Sequence, residues 1–256
     1  MPKSYKEYLV HLLFVLRLLT IGAIIICLCR PQTTDSQQKS RIEGTDIVIS
    51  MDISGSMLSQ DFSPNRFEAA KKVATKFING RQNDNIGLVV FAGESFTQCP
   101  LTTDHGVLIN LLNAVEFGVI EDGTAIGLGL ANAVNRIKDS QAKSKVIILL
   151  TDGSNNRGDI APLTAAEIAK KFGVRVYTIA VGKHGMAPYP FQTPFGIQYQ
   201  NVPVEIDEEV LQQIAQMTGG SFFRATDNAS LGAIYAEIDQ MEKTKLQVRE
   251  YKKRNE

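Results

Sequence analysis

The sequence predicts an α/β fold. A doubly wound, mostly parallel central sheet carries helices on both faces and one antiparallel edge strand, and a hydrophobic helix precedes it. Three observations carry this expectation. The runs Asp46-Ile47-Val48-Ile49-Ser50-Met51-Asp52 and Val146-Ile147-Ile148-Leu149-Leu150-Thr151-Asp152 are apolar and β-branched, read as buried strands, and both end in a carboxylate. Stretches with helical periodicity separate them from further apolar runs, which is the alternation a parallel sheet needs. With 256 residues and 44% hydrophobic side chains, the chain is large enough for one α/β domain of ordinary size plus appendages.

In order along the chain, residues 9–29 form a nearly continuous apolar run broken by His11 and Arg17. About 20 apolar residues span a bilayer, and an Arg at the centre costs roughly 2.5–3.5 kcal/mol on insertion scales. A membrane helix is the leading reading. A cleaved signal peptide fits Lys3 and Lys6 and the apolar stretch 18–28, but Cys27-Leu28-Cys29-Arg30-Pro31 is a poor small-x-small cleavage site. A buried helix is the third reading. Lys3 and Lys6 favour a cytoplasmic N-terminus, whereas Arg30, Lys39 and Arg41 oppose it. Residues 32–44 are polar, lack periodicity and read as a linker.

After the first strand, residues 57–64 form a polar loop whose Ser63-Pro64 suits a helix start. Phe67, Ala70, Val73, Ala74, Phe77 and Ile78 then recur at helical spacing, and Gly80 closes the helix. Residues 85–91 read as a buried strand and residues 95–99 as the antiparallel edge strand. Leu101-Thr102-Thr103-Asp104 leads into a helix to about Ala114. Thr124 opens the next helix, where Gly127 and Gly129 permit close packing on the sheet. A phosphate loop is disfavoured there, because no Gly-Lys-Ser/Thr follows. Strand 145–150, helix 163–172 and strand 174–181 continue the alternation. Residues 183–204 break it with four prolines and several aromatics. They read as an inserted hairpin around Pro194-Phe195-Gly196, either a partner surface or a lid on a sheet edge. Asp207 caps a helix to Met217, a short edge strand follows, and Leu231, Ile234, Tyr235, Ile238 and Met241 mark the last helix. The expected organisation is thus an anchor helix (1–30), a linker (31–43), an α/β domain (44–243, insertion 183–204) and a charged tail (244–256).

Composition narrows function. The 27 basic and 27 acidic residues give zero formal net charge, which argues against nucleic acid as a partner. Of three cysteines, Cys27 and Cys29 lie in the apolar run, and Cys99 reads as a small core or loop residue. His11, His105 and His184 show no ligand spacing.

The chemistry sits at the strand ends. In Asp52-Ile53-Ser54-Gly55-Ser56, Gly55 lets the chain turn so that Asp52, Ser54 and Ser56 face one point. Thr124 and Asp152 come from two further loops at the same sheet edge, where open α/β folds bind ligands. Carboxylates plus hydroxyls suit a hard dication: Mg²⁺ first, with Mn²⁺ or Ca²⁺ as alternatives. Each residue alone has a plainer reading, Asp52 as a turn cap and Ser54 and Ser56 as turn residues. A haloacid-dehalogenase-like phosphatase is the enzymatic alternative, but it needs a second carboxylate where Ser54 stands, so no catalytic residue is assigned.

The Asp-x-Ser-x-Ser, the distant Thr and the distant Thr-Asp-Gly resemble the metal-ion-dependent adhesion site of von Willebrand factor type A domains, over roughly residues 44–243. The resemblance implies that Ser54, Ser56 and Thr124 hold the metal directly. Asp52 and Asp152 would act through water, and an open position would take a carboxylate from a protein partner. The Leu-Arg-Leu-Leu…Arg-Pro-Gln stretch and residues 204–227 resemble the aerotolerance-operon (Bat) proteins of Bacteroides and relatives. That resemblance implies a transmembrane N-terminal helix in the bacterial inner membrane, an A domain in the periplasm, and a second membrane helix after the tail. It also implies sibling Bat proteins and a MoxR-type AAA+ ATPase as partners. Adhesion to an extracellular ligand is the alternative function.

Overall fold

The computed structural model describes residues 5–28, 44–81, 83–194 and 196–254. The linker expected at 32–44 lies outside these residues, apart from Gly44. Compactness divides the chain into two units, Met1–Ile42 and Glu43–Glu256.

The first unit contains helix α1 (Tyr5–Leu28). Its described apolar side chains, Phe14, Leu18 and Leu19 among them, are exposed. Among the described residues no helix is long and apolar enough to cross a membrane. The bilayer-spanning helix expected from the sequence is therefore not supported by the structure, and exposed Arg17 interrupts the apolar surface midway.

The second unit is the α/β domain. Its elements are β1 (Thr45–Asp52), α2 (Arg66–Asn79), β2 (Asn85–Phe91), β3 (Ser95–Thr102), α3 (His105–Asn113), α4 (Ile126–Ile137), β4 (Ser144–Thr151), α5 (Pro162–Lys171), β5 (Arg175–Val181), β6 (Met186–Thr193), β7 (Gly196–Pro203), α6 (Glu208–Thr218), β8 (Phe222–Ala225) and α7 (Asn228–Arg254). A one-turn 3-10 helix, Gly55–Leu58, follows β1. The main sheet has the order β3-β2-β1-β4-β5-β8, with β3 antiparallel and the other pairings parallel. Every residue of β1 is buried, as expected for a parallel strand covered on both faces. β3, at the edge, is half-exposed and holds Pro100, whose missing N–H an edge strand tolerates.

Alternate side chains of each strand feed two cores. Ile47, Ile49, Met51, Ile148 and Leu150 pack with α2, α3 and α7 residues on one face. Val48, Val89, Phe91, Ile147 and Leu149 pack with α4, α5 and α6 residues on the other. Burying each such side chain stabilises the fold by roughly 1.5–3 kcal/mol. Gly129 allows α4 to approach, since a Cβ there would stand 2.5 Å from the Phe91 ring. Gly127 meets a loop rather than the sheet, its added Cβ falling 1.9 Å from the Ile160 carbonyl oxygen.

Several boundaries differ from expectation. Asn65, not Ser63, caps α2, accepting from the Glu68 N–H, because its side chain reaches the orphan donor. Thr124 stands two residues ahead of α4 rather than opening it. α7 runs on to Arg254, through the segment read as a charged tail. The inserted hairpin forms as expected, β6 pairing with β7, and the pair makes a sheet of its own rather than extending either edge of the main sheet.

Candidate metal centre

The strand order reverses between β1 and β4. The chain moves outward one way through β2 and β3, and the other way through β5 and β8. At such a switch point the loops after two adjacent strands diverge and leave a crevice. Met51 pairs with Leu150, so Asp52 and Thr151 end their strands side by side.

Four of the five expected residues form a connected set. Asp52 accepts from the Ser54 N–H at 2.8 Å and from the Thr151 hydroxyl at 2.6 Å. It does cap a turn, and its other oxygen is the one that Thr151 of β4 holds. The Ser54 and Ser56 hydroxyl oxygens lie 3.0 Å apart, and Ser56 Oγ donates to Asp152 Oδ1 at 2.6 Å. Thr124 joins from its loop. Its N–H donates to Asn156 Oδ1 at 2.8 Å, and its carbonyl accepts from the Asn156 N–H at 3.0 Å. Thr124 Oγ1 lies 3.3 Å from where a Gly153 Cβ would stand, which places it at the Asp152–Gly153 turn. Asp52, Ser54, Thr124 and Asp152 are buried, and Ser56 is half-buried.

Other residues fix this set and were not legible as site residues. Arg66, at the start of α2, donates through Nη1 to Asp152 Oδ2 at 2.7 Å. Its other edge grips Asp61 through two bonds of 2.7 Å. Asp122 Oδ1 accepts from the Gly55 N–H at 2.8 Å and ties the loop before α4 to the turn after β1. Arg66 and Asp152 are 86 residues apart in sequence, and no local pattern pairs them.

The charge is unbalanced. Burial, reinforced by the Asp152 charge, pushes Asp52 up to about 7. Burial also raises Asp152, although Arg66 opposes it. A cation would relieve both groups. Among the described residues no group of three or more His, Cys, Asp or Glu is placed to hold a metal, so hydroxyls have to complete any donor set here. The residues present fit a hard dication. They are all-oxygen donors, and a spacing of 3.0 Å between Ser54 and Ser56 oxygens matches the edge of an octahedron with bonds of about 2.1 Å.

A cleft of about 420 Å³ opens above this set, between Ser56, Thr124 and Asp152 on one side and Tyr189, Phe191 and Val202 of the hairpin on the other. Burial and the charges of Asp122 and Asp152 raise the Tyr189 phenol. Elsewhere His105, His184 and Cys99 have local surroundings of their own. His105 bonds the Asp84 carbonyl at 3.0 Å, His184 is exposed near Glu208, and Cys99 is a buried free thiol.

Comparison with known proteins agrees with this architecture. Residues 46–237 match the von Willebrand factor type A domain. An uncharacterized protein of Borreliella burgdorferi is 31% identical over 250 residues, covering 95% of this chain and 73% of its own. The crystal structure of an aerotolerance-related membrane protein from Bacteroides fragilis, carrying multiple mutations to serines, superposes with a TM-score of 0.67 at 31% identity, over 77% of this chain and 98% of that one. BatB from Bacteroides thetaiotaomicron gives a TM-score of 0.67 at 32% identity, over 78% and 100%.

Proposed function

The chain belongs to the von Willebrand factor type A domain family, and on that premise we propose that it is a metal-dependent protein-interaction module anchored to the bacterial inner membrane. Ser54, Ser56 and Thr124 hold Mg²⁺ through their hydroxyls, and Asp52 and Asp152 hold it through water. When bound, the metal supplies a positive charge with an open position for a partner's Asp or Glu carboxylate, a charge-assisted contact that fixes orientation. The observation that carries this reading is the convergence of three loops at the switch point on two buried, under-compensated carboxylates. Thr124 and Ser56 border the cleft and would meet the incoming carboxylate, while Arg66 keeps Asp152 in place from behind.

Hydrolysis is not part of this reading. The residue two past Asp52 is Ser54, whose hydroxyl meets Ser56, so the second carboxylate that such a phosphatase needs at that position is a hydroxyl here. The exposed apolar surface of α1 serves as the anchor, and the A domain faces the periplasm. The relationship to aerotolerance-related Bacteroides proteins supports sibling Bat proteins and a MoxR-type AAA+ ATPase as the system in which it works, in envelope stress tolerance or complex assembly.

The test is capture of reconstituted sibling Bat proteins by the full chain in Mg²⁺ and in EDTA. Capture in Mg²⁺ that disappears in EDTA, and that needs about tenfold more Mg²⁺ in Thr124→Ala, is expected. Capture indifferent to both treatments rejects the metal bridge, and Mg²⁺-dependent capture of host or matrix proteins instead favours adhesion.

A further inference from the structure

The hairpin is the part of the domain that the proposed metal chemistry leaves unused. Residues 186–204 contain no Asp, Glu, Lys, Arg or His, in a chain with 21% charged residues. The hairpin is pinned to the metal loop rather than to the sheet. The Gln60 N–H donates to the Pro188 carbonyl at 2.8 Å and the Gln60 side chain donates to the Tyr199 hydroxyl at 3.1 Å, while the Val204 N–H closes the base of the hairpin on the Gly185 carbonyl at 2.8 Å. A Cβ at Gly55 would stand 3.1 Å from both the Tyr189 hydroxyl and an Asp122 carboxylate oxygen. Tyr189 thus reaches the turn that carries Ser54 and Ser56.

Strand alternation decides which side chains face the site. Tyr189 and Phe191 lie two apart on β6, share one face, and pack ring edge against ring at 5.0 Å between centroids. Val202, paired with Ala187, lies on the same face of β7, and all three border the cleft. The opposite face carries Ile197 and Tyr199, exposed at 63% and 53%. Exposed apolar surface of this kind marks an interaction surface, and its place beside a polar cleft suits a protein segment that offers polar and apolar side chains together.

We propose that the hairpin is the apolar half of a two-part docking site. The cation takes an acidic side chain of the partner, and Tyr189, Phe191 and Val202 take a large apolar side chain close to it in the partner's sequence. A cleft of about 420 Å³ is roughly 7 Å across, the length of two residues of extended chain. The partner class is therefore a protein segment with Asp or Glu within two residues of Leu, Ile, Met or an aromatic. The charged residues lining the cleft are Asp122, Asp152, Glu205 and Arg66; Arg66 is held by Asp61 and Asp152, so the docking point for an acid is the cation, and the hairpin adds no charge of either sign. This proposal rests on the metal-site reading above, because the acid has no docking point without the cation.

The probe is a displayed library of random peptides selected on the immobilised full chain, in Mg²⁺ and in EDTA. Wild type is expected to enrich peptides that carry an acid with a large apolar residue within two positions. In Tyr189→Ser/Phe191→Ser the acid remains enriched, while enrichment of the apolar neighbour falls about fivefold. Retained acid selection shows that this variant is folded and loaded. If it loses both preferences, Phe191→Ala, at an exposed position, decides by the same readout. Acidic peptides without an apolar preference on wild type, or an apolar preference that survives both hairpin changes, overturn the proposal while leaving the metal reading intact. Selection unaffected by EDTA, or no enrichment at all, overturns both.

Discussion

The strands of the central sheet meet buried carboxylates at both ends, and the two ends solve the same electrostatic problem differently. At the amino-terminal end, Glu242 of α7 is 1% exposed and accepts from Ser144 Oγ at 2.8 Å, the Tyr177 hydroxyl and the Arg175 guanidinium. Burial alone would raise its pKa, but Tyr177 and Arg175 outweigh burial and hold it below the usual carboxylate range. At the carboxyl-terminal end, Asp52 and Asp152 are as deeply buried, yet Arg66 is shared with Asp61 and leaves them short of positive charge. The lesson is that burial does not by itself distinguish a structural clasp from a binding site; the supply of donors does. Glu242 is complete within the chain, whereas the Asp52–Asp152 pair invites a cation from outside.

The contrast can be broken most sharply by removing the clasp. Glu242→Ala leaves Arg175 and Tyr177 without their acceptor and is expected to cost about 3–5 kcal/mol in urea unfolding, with the Mg²⁺ affinity of the folded protein unchanged. Asp52→Asn keeps the side chain's shape; its oxygen accepts from the Ser54 N–H and its NH2 donates to Thr151 Oγ1 in place of the wild-type acceptance, so its metal-free stability is expected to match or exceed wild type. A loss as large as that of Glu242→Ala would end the distinction.

Metal addition sharpens the comparison from the other side. At a hundredfold excess over its Kd, Mg²⁺ is expected to raise wild-type stability by about 2.7 kcal/mol in thermal or urea unfolding, and Asp52→Asn should erase that gain. Thr124→Ala is a smaller change. It is expected to weaken Mg²⁺ binding about tenfold by calorimetry, while the unfolding midpoint in EDTA stays in place.

The smallest effect is one of pH. Glu242 has a depressed folded pKa, so its contribution to stability is present above its unfolded value of about 4.5 and is lost as pH falls through the folded value. Urea midpoints of wild type should fall below about pH 4.5, and Glu242→Gln should show a shallower fall over the same range.

Much of this was readable from local pattern. Runs such as Ile47-Val48-Ile49 and Val146-Ile147-Ile148-Leu149-Leu150 are apolar at every position, because both faces of a central parallel strand are covered, and that marks them whatever their neighbours. The five candidate site residues are nameable because they sit at strand ends and loop starts, where three short stretches carry the oxygen donors. Asp207 capping α6 and Gly219 ending it at φ +73° follow from side-chain reach and backbone sterics within a few residues. The N-terminal run shows the limit of composition, since apolar content alone led to a spanning helix that the described residues do not support.

The sequence by itself determined the strand and helix alternation, the hairpin and the oxygen-rich loops, because each depends on residues close together in the chain. Only the tertiary structure decided which loops meet. It set Arg66 against Asp152 across 86 residues, Thr151 against Asp52 across 99, and Gly55 against Asp122 across 67. It also set Tyr189 and Phe191 of the hairpin on the same cleft as Ser56, Thr124 and Asp152. Those pairings depend on strand order and on the direction in which each loop leaves the sheet, and no local preference of the residues encodes either.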